Sequence, residues 1–129
     1  STLSGTDFEI LVQGLLKEDG YENVIKMGGA GDLGVDIIAS KRQQGRLLHY
    51  IFQCKRWASN VCSAPIQRFY AEKMRRGLDY AICITTSGYT KDGKKVAIDL
   101  DVEIVDGNQL MKRLNRYFPG EYYNGIQEI

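Results

Sequence analysis

Asp36 stands between Val35 and Ile37 in a short apolar stretch, Val35-Asp36-Ile37-Ile38-Ala39. A carboxylate left unpaired among such neighbours costs roughly several kcal/mol, so its presence calls for a compensating partner or a task. The next apolar stretch, Ile51-Phe52-Gln53-Cys54-Lys55, carries an amide and an ammonium. Side chains alternate across a strand, which puts Ile51, Gln53 and Lys55 on one face and Phe52 and Cys54 on the other. If the two stretches pair as a hairpin, Asp36 converges on Gln53 and Lys55. That assembly suits hydrolysis of a phosphodiester, which is already anionic and gains charge as water attacks. A divalent metal on oxygen ligands neutralises that charge and lowers the pKa of a bound water, and a lysine orients the nucleophile or stabilises the oxyanion. Mg2+, with Mn2+ as its substitute, tolerates one or two carboxylates and keeps several waters. The expected partial shell is Asp36, the Gln53 side-chain oxygen and the backbone carbonyl of Cys54.

Structural readings compete with these roles. Gln53 and Lys55 by themselves would suit an exposed strand face. Glu9, three residues after Thr6, has a sufficient task in a capping box. Asp32 reads as a turn former in Gly28-Gly29-Ala30-Gly31-Asp32. Gly28 to Gly34 matches neither GxxxxGK[ST] nor a strand-to-helix GxGxxG, so nucleotide binding gains nothing from it. His49, the sole histidine, shares the phase of residues 51, 53 and 55, yet a lone strand histidine is more often a packing or surface residue.

The elements that must hold these residues follow from periodicity. Phe8, Leu11, Val12, Leu15 and Leu16 repeat at helical spacing, predicting a helix over about 6–18 that ends at Asp19-Gly20. Tyr21 to Met27 is strand-like, Val35 to Ala39 is a strand, and Lys41 to Gly45 reverses the chain into a strand over Leu47 to Cys54. Pro65 at the first helical position opens a second helix that stops at Gly77. Tyr80 to Thr85 is apolar enough for a strand buried on both faces. A helix over Thr90 to Leu100, weakened by Gly93, a strand over Val102 to Val105, and a helix carrying Leu110, Met111 and Leu114 complete the order. Helix, three strands, helix, strand, helix, strand, helix indicates an α/β three-layer sandwich with a mixed central sheet flanked by helices.

The whole chain bounds these readings. Its 129 residues, 43% hydrophobic, fit one globular domain and not two. No apolar run approaches the ~20 residues of a membrane-spanning helix. The opening STLSGTDFE has neither a basic nor an apolar signal region, and it lacks Met, so the chain reads as a processed form or as a domain excised from something longer. Cys54, Cys62 and Cys83 lack CxxC spacing, which favours reduced thiols in a cytoplasmic protein over a disulfide framework or a zinc site. Lys+Arg 17 against Asp+Glu 16 gives a net charge of only +1, so any DNA-binding face must come from local clusters. Candidates are Lys55-Arg56-Trp57, Lys73 to Arg76, and Lys91, Lys94 and Lys95. Arg56 is expected on phosphate with Trp57 beside sugar or base, and Ser87, Tyr89 and Lys91, at the carboxyl end of the buried strand, are expected to hold DNA phosphates.

GYENVIKMGGAGDLGVDIIAS, YIFQCKRW, ITTSGYT and VEIVDGNQL together resemble the catalytic domain of the Mrr family of restriction endonucleases, over roughly residues 6–115. That family is a glutamine variant of the PD-(D/E)xK nuclease superfamily. The resemblance implies a restriction-endonuclease-like fold and Mg2+-dependent cleavage of DNA, in many members modified DNA. It puts the family's catalytic acid on Asp36, its glutamine on Gln53, its lysine on Lys55 and its helix-one acid on Glu9. Residues 116–129 form a C-terminal tail to this single domain. The family's separate recognition domain is not visible, and its partner here would be fused or separate. Cutting both strands calls for two active sites, hence an expected homodimer on DNA. The alternatives are a Holliday-junction resolvase-like nuclease and a non-cleaving DNA-binding module of the same fold.

Overall fold

A computed structural model describes residues 4–27 and 34–119, apart from the Thr6 side chain. Its elements are α1 (Gly5–Glu18), β1 (Glu22–Lys26), β2 (Ile37–Gln43), β3 (Arg46–Lys55), α2 (Ser63–Arg76), β4 (Tyr80–Thr85), α3 (Lys91–Leu100), β5 (Glu103–Val105) and α4 (Gly107–Tyr117). Five strands form one sheet in the order β1-β2-β3-β4-β5. β1, β2 and β3 pair antiparallel, whereas β3, β4 and β5 run parallel. This is the expected mixed sheet, and the element order is the one the periodicity predicts.

Alternation along β3 separates two cores. Tyr50 and Phe52 join Phe8, Val12, Leu15, Leu110 and Leu114, so α1 and α4 cover one face. Ile51 joins Ile66, Phe69, Cys83 and Ala97, so α2 and α3 cover the other. Burying such aliphatic and aromatic side chains contributes about 1.5–3 kcal/mol each, which makes the two helical layers the main source of cohesion. β4, in the middle of this packing, is buried from Ala81 to Thr85.

Several boundaries differ from expectation for local reasons. Ser4 caps α1 by accepting the Asp7 amide at 3.0 Å. Thr6 therefore lies inside the helix, and the expected Thr6–Glu9 capping box is corrected. β2 runs on to Gln43, and the reversal is a two-residue turn at Gln44-Gly45, both at positive φ, as hairpin twist favours. α2 begins at Ser63 after Cys62, so Pro65 is its third residue; the first-turn amides have no helical acceptor, and proline costs nothing there. Gly77 ends α2 in the left-handed conformation as predicted. α4 extends to Tyr117, whose hydroxyl donates to Asp19 at the end of α1, two residues past the expected core boundary. Asp32 and residues 120–129 of the tail lie outside the described residues. Among the described residues no helix is long and apolar enough to cross a membrane.

Candidate active site

β3 ends in the pair that matters. Gln53 is buried and Lys55 half-buried, and both line a cavity of about 400 Å³ with Gly34, Arg68, Ala71 and Glu72. The competing reading of Gln53 as part of an exposed strand face does not hold, since residues of α2 close over it. Gly34 makes room for the amide. It sits at φ +85°, and a Cβ there would lie 2.5 Å from Gln53 Nε2, a distance that only glycine avoids. On its other side the Gln53 Oε1 accepts from the Cys83 thiol at 3.6 Å. Burial pushes Cys83 up to about 11, which keeps it a neutral S–H donor.

Asp36 precedes β2 by one residue, not inside a strand as expected, yet it is tied to both neighbours: its amide donates to the Phe52 carbonyl at 2.9 Å, and its carbonyl accepts from Met27 at 2.8 Å. The Asp36 Oδ2 accepts the Cys54 amide at 2.7 Å, between Gln53 and Lys55 in the chain. The carboxylate is therefore fixed to the strand end that carries the glutamine and the lysine. Glu9 approaches from α1. Burial first, then the Asp36 charge, raise its carboxyl above the ordinary range, while Lys26 at 3.9 Å opposes them. The Cys54 thiol is raised well above its usual value by burial, then by Asp36 and Glu9, so all three groups share one neighbourhood. The structure thus sets Asp36, Cys54 and Glu9 in one neighbourhood and Gln53 and Lys55 in one cavity, with the Cys54 amide joining the two at the end of β3.

A hard divalent cation fits the chemistry of this donor set. The Asp36 and Glu9 carboxylates, the Gln53 amide oxygen and the Cys54 carbonyl are oxygen donors of the kind magnesium takes, with waters completing the shell. Among the described residues no cluster of three or more His, Cys, Asp or Glu gathers to form an all-protein metal cage.

The expected DNA contacts divide. Arg56 and Lys91 are exposed, and Trp57 is 37% exposed. Tyr89 is 6% exposed and its hydroxyl lies 2.8 Å from the Cys83 carbonyl and 3.1 Å from that of Val105, so a phosphate role is corrected. Ser87 is half-buried, and its hydroxyl donates to the Ser59 carbonyl at 2.8 Å. The segment Thr85 to Gly88 is a clamp: Thr85 Oγ1 donates to the Lys55 carbonyl, Thr86 Oγ1 to that of Trp57, and the Gly88 amide to Asn60. The Lys73–Arg76 cluster is not a free basic surface either, since Arg75 and Arg76 grip the buried Glu72 at 2.7 and 3.2 Å. His49 is exposed, bonds Ser40, and lines a separate cavity with Arg76 and Leu78. All three cysteines are free thiols.

Sequence reasoning missed Arg68. It lines the Gln53 and Lys55 cavity, is exposed, and pairs with no carboxylate among the described residues. Its only signal in the sequence is a place in the amphipathic stretch of α2, between buried Ile66 and Phe69.

Comparison with solved structures defines the class by fold. The MspJI restriction endonuclease in complex with a 27-mer oligonucleotide superposes with a TM-score of 0.74 at 21% identity, over 94% of this chain and 30% of that one. The DNA modification-dependent restriction endonuclease AspBHI does so with a TM-score of 0.70 at 13% identity, over 94% of this chain and 35% of that one. The architecture is that of a restriction-endonuclease-like α/β domain. The chain belongs to the Mrr_cat restriction endonuclease family, whose sequence model it matches over residues 1–114. It is 32% identical over 118 residues to the Type IV methyl-directed restriction enzyme EcoKMrr of Escherichia coli (strain K12). That match covers 84% of this chain and spans 37% of the relative's length.

Proposed function

We propose that this chain is the catalytic domain of a divalent-metal-dependent endodeoxyribonuclease of restriction type, acting on modified DNA. The observation that carries this is the 2.7 Å bond from the Cys54 amide to Asp36, which fixes the carboxylate against the strand end bearing Gln53 and Lys55. Family membership and the modification-directed character of the relatives support the choice of substrate.

In this reading Asp36, the Gln53 amide oxygen and the Cys54 carbonyl hold the ion, with Glu9 as the second carboxylate. Magnesium, replaceable by manganese, would supply charge neutralisation and a water of lowered pKa. Lys55 presents its ammonium to the scissile phosphate and stabilises the charge that develops there. Arg56 and Lys91 hold the backbone on either side, with Trp57 beside sugar or base. The enzyme works in the cytoplasm, where its free thiols stay reduced. It cuts both strands as a homodimer assembled on DNA, and a recognition domain, fused or separate, selects the modified site.

Incubating plasmid, methylated plasmid and a four-way junction with Mg2+, Mn2+ or EDTA tests the proposal. Metal-dependent cutting, strongest on methylated plasmid and lost in Asp36→Ala, is expected. Preferential cutting of the junction would move the domain to the resolvases, and DNA binding without cutting of any substrate would make it a binding module.

A further inference from the structure

Trp57 is the chain's single tryptophan, and its ring carries the Lys55 ammonium 4.4 Å from the centroid. Lys55 simultaneously lines the cavity whose wall is the buried Gln53. A lysine on four rotatable bonds at a cavity mouth would otherwise sample many rotamers, whereas an aromatic face attracts the cation and restricts it, tryptophan best of all. The backbone beneath the ring is itself fixed: Thr85 Oγ1 and the Thr86 amide donate to the Lys55 carbonyl at 2.9 and 3.1 Å, and Thr86 Oγ1 donates to the Trp57 carbonyl at 3.4 Å. The backbone that carries the indole is thus tied to the end of β4 and to Thr86 just beyond it.

We propose that Trp57 is a positioning residue, its indole face seating the Lys55 ammonium at the mouth of the Gln53 cavity. This goes beyond a DNA contact for Trp57 and rests on the reading of Lys55 as the residue that meets the scissile phosphate. An indole serving only as a DNA platform would act in substrate binding. A seat for Lys55 acts in the chemical step, and part of it survives in any aromatic ring.

The experiment compares kcat and KM for DNA cleavage in the wild type, Trp57→Phe, Trp57→Leu and Lys55→Met, with circular dichroism confirming the fold of each. Trp57→Leu is expected to lower kcat about tenfold or more, on top of any rise in KM from the lost DNA contact, and Trp57→Phe to recover most of the kcat loss. Because Trp57 is the only indole, its fluorescence reads the contact without any cleavage: removing the ammonium in Lys55→Met is expected to change the emission. A Trp57→Leu variant that raises KM with kcat intact, a Trp57→Phe variant no better than Trp57→Leu, or emission indifferent to Lys55→Met overturns the proposal. If Lys55→Met cuts as well as wild type, the nuclease reading of Lys55 fails first, an outcome separate from these.

Discussion

Glu9 feels two influences against its charge, burial and the neighbouring Asp36, and one in its favour from Lys26. The folded protein therefore keeps the Glu9 proton to higher pH than the unfolded chain does. Between the ordinary carboxylate range and the raised value the unfolded state binds fewer protons, so stability falls as pH rises through that window and stays lower at neutrality. Glu9→Gln should remove this slope: thermal melts from acid to neutral pH should show the variant gaining on the wild type toward neutrality, while its cleavage drops. A pH dependence identical to wild type would contradict that origin. Gly34→Ala meets two penalties at once, a positive φ and a Cβ 2.5 Å from Gln53 Nε2. It should cost roughly 1–3 kcal/mol in urea unfolding, and cleavage should fall because the amide must move. Asp36, Gln53 and Lys55 stood out in the sequence only in combination: a carboxylate in an apolar stretch, strand alternation in the next, and the flanking segments that resemble the Mrr family, since Gln53 and Lys55 by themselves suit an exposed strand face. Glu9 was ambiguous because Thr6 and Glu9 fit a capping pattern that Ser4 fills instead. The inward turn of the Tyr89 hydroxyl was not legible because it depends on how the chain folds back after β4 onto Cys83 and on the pairing of β5, which carries Val105.

At the level of elements, hydrophobic period and punctuation by Gly, Pro and Asp sufficed for the order of all nine. Strand ends did not follow from them, because pairing partners decide where a strand stops: β2 continues through polar Lys41 to Gln43 since β3 is there to pair with it. Gly93 is the instructive glycine. Helix propensity alone makes alanine better there by about 0.5–1 kcal/mol. A Cβ, however, would sit 2.7 Å from the Val61 carbonyl, a backbone atom held by the isolated bridge to Tyr89. Gly93→Ala is therefore expected to destabilise, by about 1 kcal/mol or more, with the urea midpoint lowered; a raised midpoint would show that α3 shifts freely. ITTSGYT, one of the segments that carry the family resemblance, clamps the loop after Lys55 through Thr85, Thr86, Ser87 and Gly88.

Across the molecule, a net charge of +1 means that the proposed DNA affinity rests on a few exposed cations, Arg56, Arg68 and Lys91 among them. Each phosphate contact contributes a salt-dependence slope of about 0.9. Arg68→Ala should therefore weaken duplex binding and flatten the plot of log affinity against log salt by about one contact, measured by fluorescence anisotropy; an unchanged slope would place Arg68 off the DNA path. Dimerisation on DNA should appear as a second protomer in sedimentation with a cleavable duplex, and a monomer under cutting conditions would count against it. The most direct test of the centre itself pairs calorimetry of Mg2+ binding in the presence of duplex with cleavage of methylated plasmid, in the wild type and in Asp36→Asn. Loss of both the metal-binding heat and the cutting, in a variant that still folds, is the predicted result. Undiminished cutting by Asp36→Asn would contradict an active site built on Asp36, Gln53 and Lys55.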